Sequence, residues 1–235
     1  MPRTEPKTRF NPRMHEGGKL SFRRRLKDPR RTESPLLVFG GEDPPPLAAL
    51  VPRSFSRIAV EIGPGKGAFL LAAAGRDPER FLLGIEAAAS YASAAAARLH
   101  EEGCENALVL VDNGKLYLED RVPEASLESV HVYYPDPWPK RRHAGRRFFT
   151  DGVPSVLARV LIDDGFLYCA TDNAAYAGQI CRVMGAAAEF ARDEREERRA
   201  AEAGPGIAFS PTNFERKYAR EGRLMRRYAW RRKRR

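Results

Sequence analysis

The stretch Ile58-Ala59-Val60-Glu61-Ile62-Gly63-Pro64-Gly65-Lys66-Gly67, running on into Ala68-Phe69-Leu70-Leu71, decides the fold. Five residues of strand composition enter a turn with three glycines, and the turn opens into a segment of helical composition. Glycines there let the backbone approach a ligand closely, and a helix N-terminus offers N–H groups with no intrahelical partner. Taken alone, such a turn also serves as an ordinary tight connection between strand and helix. Two details sharpen the reading. The spacing is G-x-G-x-G, not the G-x-G-x-x-G of dinucleotide folds, and Glu61 sets a carboxylate on the strand just before the turn. Negative charge at that point repels a pyrophosphate and suits a ligand with a cationic centre, such as S-adenosylmethionine with its sulfonium and ammonium groups.

Working outward, strand-like apolar runs recur at 81–85, 107–111, 130–134 and 166–170. Helical compositions lie between them at 87–100, around 116–119 and at 152–161, with a further helix expected over 173–184. Strand and helix in alternation, joined by short connections, predict a parallel sheet covered on both faces. The charged stretch 192–202 reads as an exposed helix or linker, and 224–230 as a closing strand. Residues 1–55, ending past Pro44-Pro45-Pro46, read as a basic N-terminal tail, partly disordered; 56–235 read as a single domain with a basic C-terminal end.

At 235 residues, 43% apolar and 31% charged, the chain has enough material for one ample core. The three cysteines, Cys104, Cys169 and Cys181, form no C-x-x-C pair and are odd in number, which predicts a reducing compartment. Four scattered histidines have no metal-ligand spacing, so no metal is expected. A charged N-terminus without an apolar signal core, and no run of membrane-spanning length, predict a cytoplasmic protein with no membrane partner. The formal charge of +10 is concentrated: residues 1–31 carry +8, 138–147 carry +5 and 211–235 carry +9, leaving an acidic body. Three basic segments on an acidic body point to a polyanionic partner.

Further acids stand at the ends of the other strand runs. Glu86 ends the second, nineteen residues after Gly67, where a carboxylate can accept both hydrogen bonds of a ribose diol. Asp112-Asn113-Gly114 ends the third and offers an amide or carboxylate to an adenine edge, or else forms only a turn. After the fourth comes Tyr134-Pro135-Asp136-Pro137-Trp138-Pro139-Lys140, a carboxylate between two prolines followed by an indole and a basic stretch. Each proline fixes its own φ and biases the preceding residue toward extended geometry, which presents Asp136 on a stiff loop.

These motifs, together with Ala170-Thr171-Asp172-Asn173 and Thr212-Asn213-Phe214-Glu215, resemble the bacterial tRNA (guanine-N7)-methyltransferase family over nearly the whole chain outside the N-terminal tail. The resemblance implies an α/β fold of class I S-adenosylmethionine-dependent methyltransferases, Rossmann-like, with a seven-stranded, mostly parallel sheet and helices on both faces. It implies methyl transfer from S-adenosyl-L-methionine to N7 of the variable-loop guanine of tRNA, position 46. By the same resemblance Glu61, Gly63, Gly65, Glu86, Asn113 and Asp136 hold the cofactor, and Asp136 is also the catalytic position. Lys140, Asp172, Thr212, Asn213, Phe214 and Glu215 fall on substrate-binding positions, with Arg142, Arg146 and Arg147 on the RNA-contacting loop. The expected partner is tRNA, and the expected state a monomer, with a homodimer as the alternative. The chain departs from the family pattern at Asn113-Gly114, which leaves open whether Asp112 or Asn113 reaches the adenine, and at the plain Ala87-Ala88-Ala89.

Guanine N7 carries a lone pair and no hydrogen, so methylation there is an in-line displacement that needs no general base. A fixed carboxylate can stabilise the positive charge that develops on the purine, and Asp136 suits that task, facing either the guanine or the cofactor. Trp138 stacks on a flipped base or packs the loop. The alternatives are another nucleic-acid base methyltransferase, or a non-catalytic RNA-binding protein on the same fold. The first normally has adjacent prolines before an aromatic residue, whereas Trp138 follows a single proline; the second has no need of acids at three strand ends.

Overall fold

In the computed structural model, residues 36–38, 44–202 and 224–235 are described. Strands β1 (Leu36–Val38), β2 (Arg57–Ile62), β3 (Arg80–Glu86), β4 (Ala107–Val111), β5 (Leu127–Tyr133), β6 (Leu161–Thr171), β7 (Phe190–Arg192) and β8 (Arg226–Arg232) form one sheet. Its order is β1-β4-β3-β2-β5-β6-β8-β7, parallel from β1 to β6 and antiparallel at β8 and β7. The seven expected strands are present, and an eighth, β1, adds to the β4 edge from within the segment 1–55. The rest of the expected basic tail, apart from 44–55, lies outside the described residues.

Alternation along each strand divides the core. Val60, Leu83, Ile85, Leu110, Val130, Val132, Leu167 and Cys169 face one side, while Ala59, Leu82, Val109, Tyr133, Tyr168 and Ala170 face the other. The first side is covered by α1 (Leu47–Leu50), α4 (Gly114–Arg121), α5 (Val153–Val160) and α6 (Ala174–Gly185). The second is covered by α2 (Ala68–Arg76), α3 (Ala89–Glu101) and α7 (Glu194–Glu202). The stretch read as exposed helix or linker is thus α7, anchored by buried Glu196 and Ala200. Tyr168 Oη donates to Glu196 Oε1 at 2.6 Å, which gives the buried carboxylate a partner.

Helix α3 is rich in alanine for a packing reason. Ala92, Ala95, Ala96 and Leu99 are buried, and a β-carbon added at Gly67 would lie 2.9 Å from Ala95 Cβ. Small side chains let α3 press against the glycine turn, and a leucine at position 95 would force the two apart at a cost of about 1–3 kcal/mol. Arg98 of the same helix donates to the Lys66 carbonyl at 2.7 Å and holds the turn from its outer side. At the opposite edge, Arg57 and Arg80 pair with Asp77 and Glu128 across the first residues of β2, β3 and β5.

Candidate active site

Strand order reverses between β2 and β5, so the β2 turn and the loop after β5 share one crevice at the C-terminal edge of the sheet. Glu61 is 2% exposed, on the sheet face covered by α2 and α3. Among the described residues its Oε2 has no hydrogen-bond partner. Burial, and after it the nearby Glu86 charge, push its carboxyl well above the usual carboxylate range, against the backbone N–H of Leu70 at the start of α2. Gly63 and Gly65 follow with φ of 70° and 56°, and a β-carbon added at either would meet nothing within 4 Å. The turn is therefore left-handed and lined by open space, which glycine alone allows without strain.

Glu86 ends β3 in the neighbouring position. Its Oε2 accepts from the Gly65 N–H at 3.0 Å and its Oε1 from the Ala88 N–H at 2.8 Å. Burial raises its pKa, backbone N–H groups at Ala88, Gly65 and Ala87 oppose that, and the Asp136 charge adds to the rise. The three strand-end acids therefore converge. Asp112 is buried and accepts from the Asn113 N–H at 2.7 Å. Asn113 is exposed and caps α4, its Oδ1 accepting from Lys115 and Leu116 N–H at 3.1 and 3.3 Å. Only its Nδ2 remains for a ligand. The glycine that follows is explained by packing, because a β-carbon at Gly114 would sit 2.8 Å from Ile62 Cδ1.

Asp136 is exposed on its loop between Pro135 and Pro137. Tyr134 and Trp138, on either side, have φ of 49° and 39°. Such geometry costs about 1–3 kcal/mol per residue and persists only where the surroundings impose it. Tyr134 N–H donates to the Ala170 carbonyl at 2.8 Å, and Arg147 donates to the Pro137 and Trp138 carbonyls at 2.7 and 2.9 Å. A 3-10 turn, Arg141–Arg146, follows. Arg146 places its guanidinium 5.0 Å from the Trp138 ring centre, and His143 meets the same ring edge-on at 5.6 Å. Lys140, Arg142 and Arg146 are exposed. Asp172 lies just past β6 at the same edge, its carbonyl accepting from Arg226 at 3.3 Å, and Asn173 caps α6. Thr212, Asn213, Phe214 and Glu215 lie outside the described residues.

Two basic regions make contacts within the chain. Arg147, placed by resemblance on an RNA-contacting loop, spends its guanidinium on loop carbonyls and on Gln179 Oε1. Of the basic C-terminal end, read as part of a field for a polyanion, four described arginines pair with acids of the chain itself. Arg231 and Arg234 pair with Asp164 at 2.8 and 2.6 Å, Arg232 with Asp163 at 2.8 Å, and Arg235 with Asp163 and Glu124 at 3.0 and 3.3 Å. Hydrogen bonds from Arg234 and Arg231 hold the Asp164 carboxyl below its usual range. Because β8 runs antiparallel to β6, with Arg231 opposite Phe166 and Arg226 opposite Thr171, these pairs sit at the edge away from the crevice. Sequence reading missed Arg98 and Gln179, whose partners are distant in the chain and leave no local pattern. Among the described residues no group of three or more His, Cys, Asp or Glu is arranged to hold a metal, and no helix is long and apolar enough to cross a membrane.

The family described as "Putative methyltransferase" matches residues 56–227, from just before β2 into β8. A tRNA (guanine-N(7)-)-methyltransferase of Burkholderia cenocepacia is 35% identical over 179 residues, 76% of this chain and 68% of that protein. One of Nitrosococcus oceani is 39% identical over 150 residues, 64% and 63% of the two chains. One of Legionella pneumophila is 35% identical over 137 residues, 58% of each. The chain thus spans about three fifths of the length of the last two relatives. A match that takes in the glycine turn, the converging acids and the Pro-Asp-Pro-Trp loop is specific enough to conclude that the chain belongs to the tRNA (guanine-N7)-methyltransferase family.

Proposed function

We propose that the chain transfers a methyl group from S-adenosyl-L-methionine to N7 of the variable-loop guanine of tRNA. The observation that carries this reading is Glu61, a buried carboxylate with an orphaned oxygen, beside Glu86 and Asp136 and under a glycine turn that leaves open space. An unpaired buried carboxylate is costly, and a cationic ligand removes the cost. S-adenosylmethionine fits this donor set, and when bound it supplies an electrophilic methyl group on a positively charged sulfur. Glu61 then pairs with its ammonium end, Glu86 accepts from the ribose diol, and Asp112 or the free Nδ2 of Asn113 meets the adenine edge.

The remaining roles follow from charge and placement. Asp136, on its stiff loop, faces the positive charge that develops as the guanine N7 lone pair takes the methyl group, and no residue need accept a proton. Asp172, with Thr212, Asn213, Phe214 and Glu215, binds the guanine, the acids accepting from its edge and the threonine hydroxyl donating or accepting. Lys140, Arg142 and Arg146 meet the phosphate backbone, to which the basic tail 1–31 adds affinity. The protein acts as a cytoplasmic monomer. Incubating the purified chain with bulk tRNA and labelled cofactor, then mapping the modified nucleotide, tests the reading. Label on N7 of the variable-loop guanine is expected; label on another atom or nucleotide, or none, rejects it.

A further inference from the structure

The prolines stiffen the loop that carries Asp136, but they leave it few hydrogen bonds to fix it against the rest of the fold. Among the described residues, the only hydrogen bonds made by residues 135–139 are the two that the Pro137 and Trp138 carbonyls accept from Arg147. The guanidinium that supplies them is fixed from its other side. Its Nη1 donates to Gln179 Oε1, and its Cζ lies 5.8 Å from the ring centre of Tyr176, both on α6. Those partners are themselves tied to the chain that follows Arg147: Gln179 Nε2 donates to the Phe149 carbonyl at 2.6 Å, and Tyr176 Oη accepts from the Phe149 N–H at 3.3 Å. Tyr176 is 2% exposed and belongs to the core. A rigid path therefore runs from α6 through one planar side chain to the two peptide carbonyls that follow Asp136. Arg142 and Arg146, by contrast, lie exposed on the same stretch.

We propose that Arg147 is a positioning residue: it fixes the Asp136 carboxylate at the crevice by clamping the Pro137 and Trp138 carbonyls to α6, and it does not contact RNA. Three of the five guanidinium N–H groups are already committed to the loop and to α6, in the planar geometry that a clamp uses as it stands. The consequence for turnover rests on the methyltransferase reading above; the clamp itself does not.

Two substitutions separate the roles. Arg147→Lys keeps the charge that a phosphate needs but lacks the fork that bridges two carbonyls and an amide, and Arg147→Gln removes both. For both variants kcat is expected to fall about 10- to 100-fold, as misplacement of a catalytic group does. The KM for tRNA and the salt dependence of tRNA binding should stay at parental values. A readout independent of activity comes from fluorine NMR of protein labelled with 5-fluorotryptophan. The chain has two tryptophans, Trp138 on the loop and Trp230 buried in the core, so the second resonance reports whether the fold is intact. In both variants the Trp138 resonance should shift or broaden while that of Trp230 stays in place. If Arg147→Gln also disturbs Trp230, Gln179→Ala, which removes one anchor and leaves the guanidinium, should move Trp138 alone. Parental turnover in Arg147→Lys, a salt slope flattened by about one in Arg147→Gln, or an unmoved Trp138 resonance would each overturn the proposal. A parent protein that methylates no tRNA, with Trp138 still released in the variants, would reject the function and leave the clamp standing.

Discussion

Two basic stretches of similar composition have opposite fates. In 140–146, Lys140, Arg142 and Arg146 are exposed, and among the described residues Arg142 donates to His143 while Arg146 lies over the Trp138 ring. In 231–235 the arginines find Asp163, Asp164, Asp193 and Glu124 at the far edge of the sheet. The first stretch stays exposed; the second uses its charge to fasten β8 and the residues after it to the start of β6. A run of arginines therefore says little about nucleic acid until its partners are known.

Charge and chemistry separate most clearly between Asp136 and the arginines that follow it. Asp136→Ala should lower kcat by about 10²- to 10³-fold, the scale of losing a group aimed at developing charge, with tRNA affinity near parental. Near-normal single-turnover methylation would place the chemistry elsewhere. Next in size, Arg142→Ala combined with Arg146→Ala should weaken tRNA binding about tenfold or more at moderate salt and flatten its salt slope by about two. The matched pair Arg231→Ala with Arg234→Ala should change neither quantity, and a flattened slope there would show that the C-terminal arginines also meet RNA.

The C-terminal pairs bear on stability. Arg232 is 6% exposed and donates to Asp163 and to the Ala158 carbonyl. Arg232→Met should cost about 2 kcal/mol, roughly 4–8 °C in melting temperature, with turnover unaffected at a temperature where both proteins are folded. An unchanged melting temperature would mean that the C-terminal pairs fasten nothing.

The smallest effect concerns Glu61, whose Oε2 has no hydrogen-bond partner among the described residues. The folded-state pKa of Glu61 is raised, so the folded protein binds a proton that the unfolded chain releases first. Its cost to stability is absent below the ordinary glutamate range, grows as pH rises through the raised pKa, and is complete above it. Glu61→Gln should therefore melt higher than the parent at neutral pH, with the gap closing toward pH 4 and cofactor affinity reduced. A gap that widens on acidification, or undiminished cofactor affinity, would contradict this account.

Much of the site was legible because it is local. Glu61, Gly63 and Gly65 are contiguous with the strand that carries them, and Glu86 ends a run whose period is clear. Elements too short to show a period were not: β1 and β7 have three residues each, and α1 has four. Asn113 was legible as a strand-end polar group, yet its carbonyl oxygen caps α4, a competing use that the same residue type serves equally well.

By itself the sequence determined the alternating architecture, the placing of an acid at several strand ends and the family, since hydrophobic period, turn chemistry and motif spacing act within a few residues. Tertiary structure alone decided which charges are spent. Arg231 meets Asp164 across 67 positions and Arg147 meets Gln179 across 32. Pairings at that separation depend on strand order and register, which place side chains with no local relation within hydrogen-bond reach. Two arginines separated by one place in the chain, or by ninety, thus differ in role only once the sheet has closed around them.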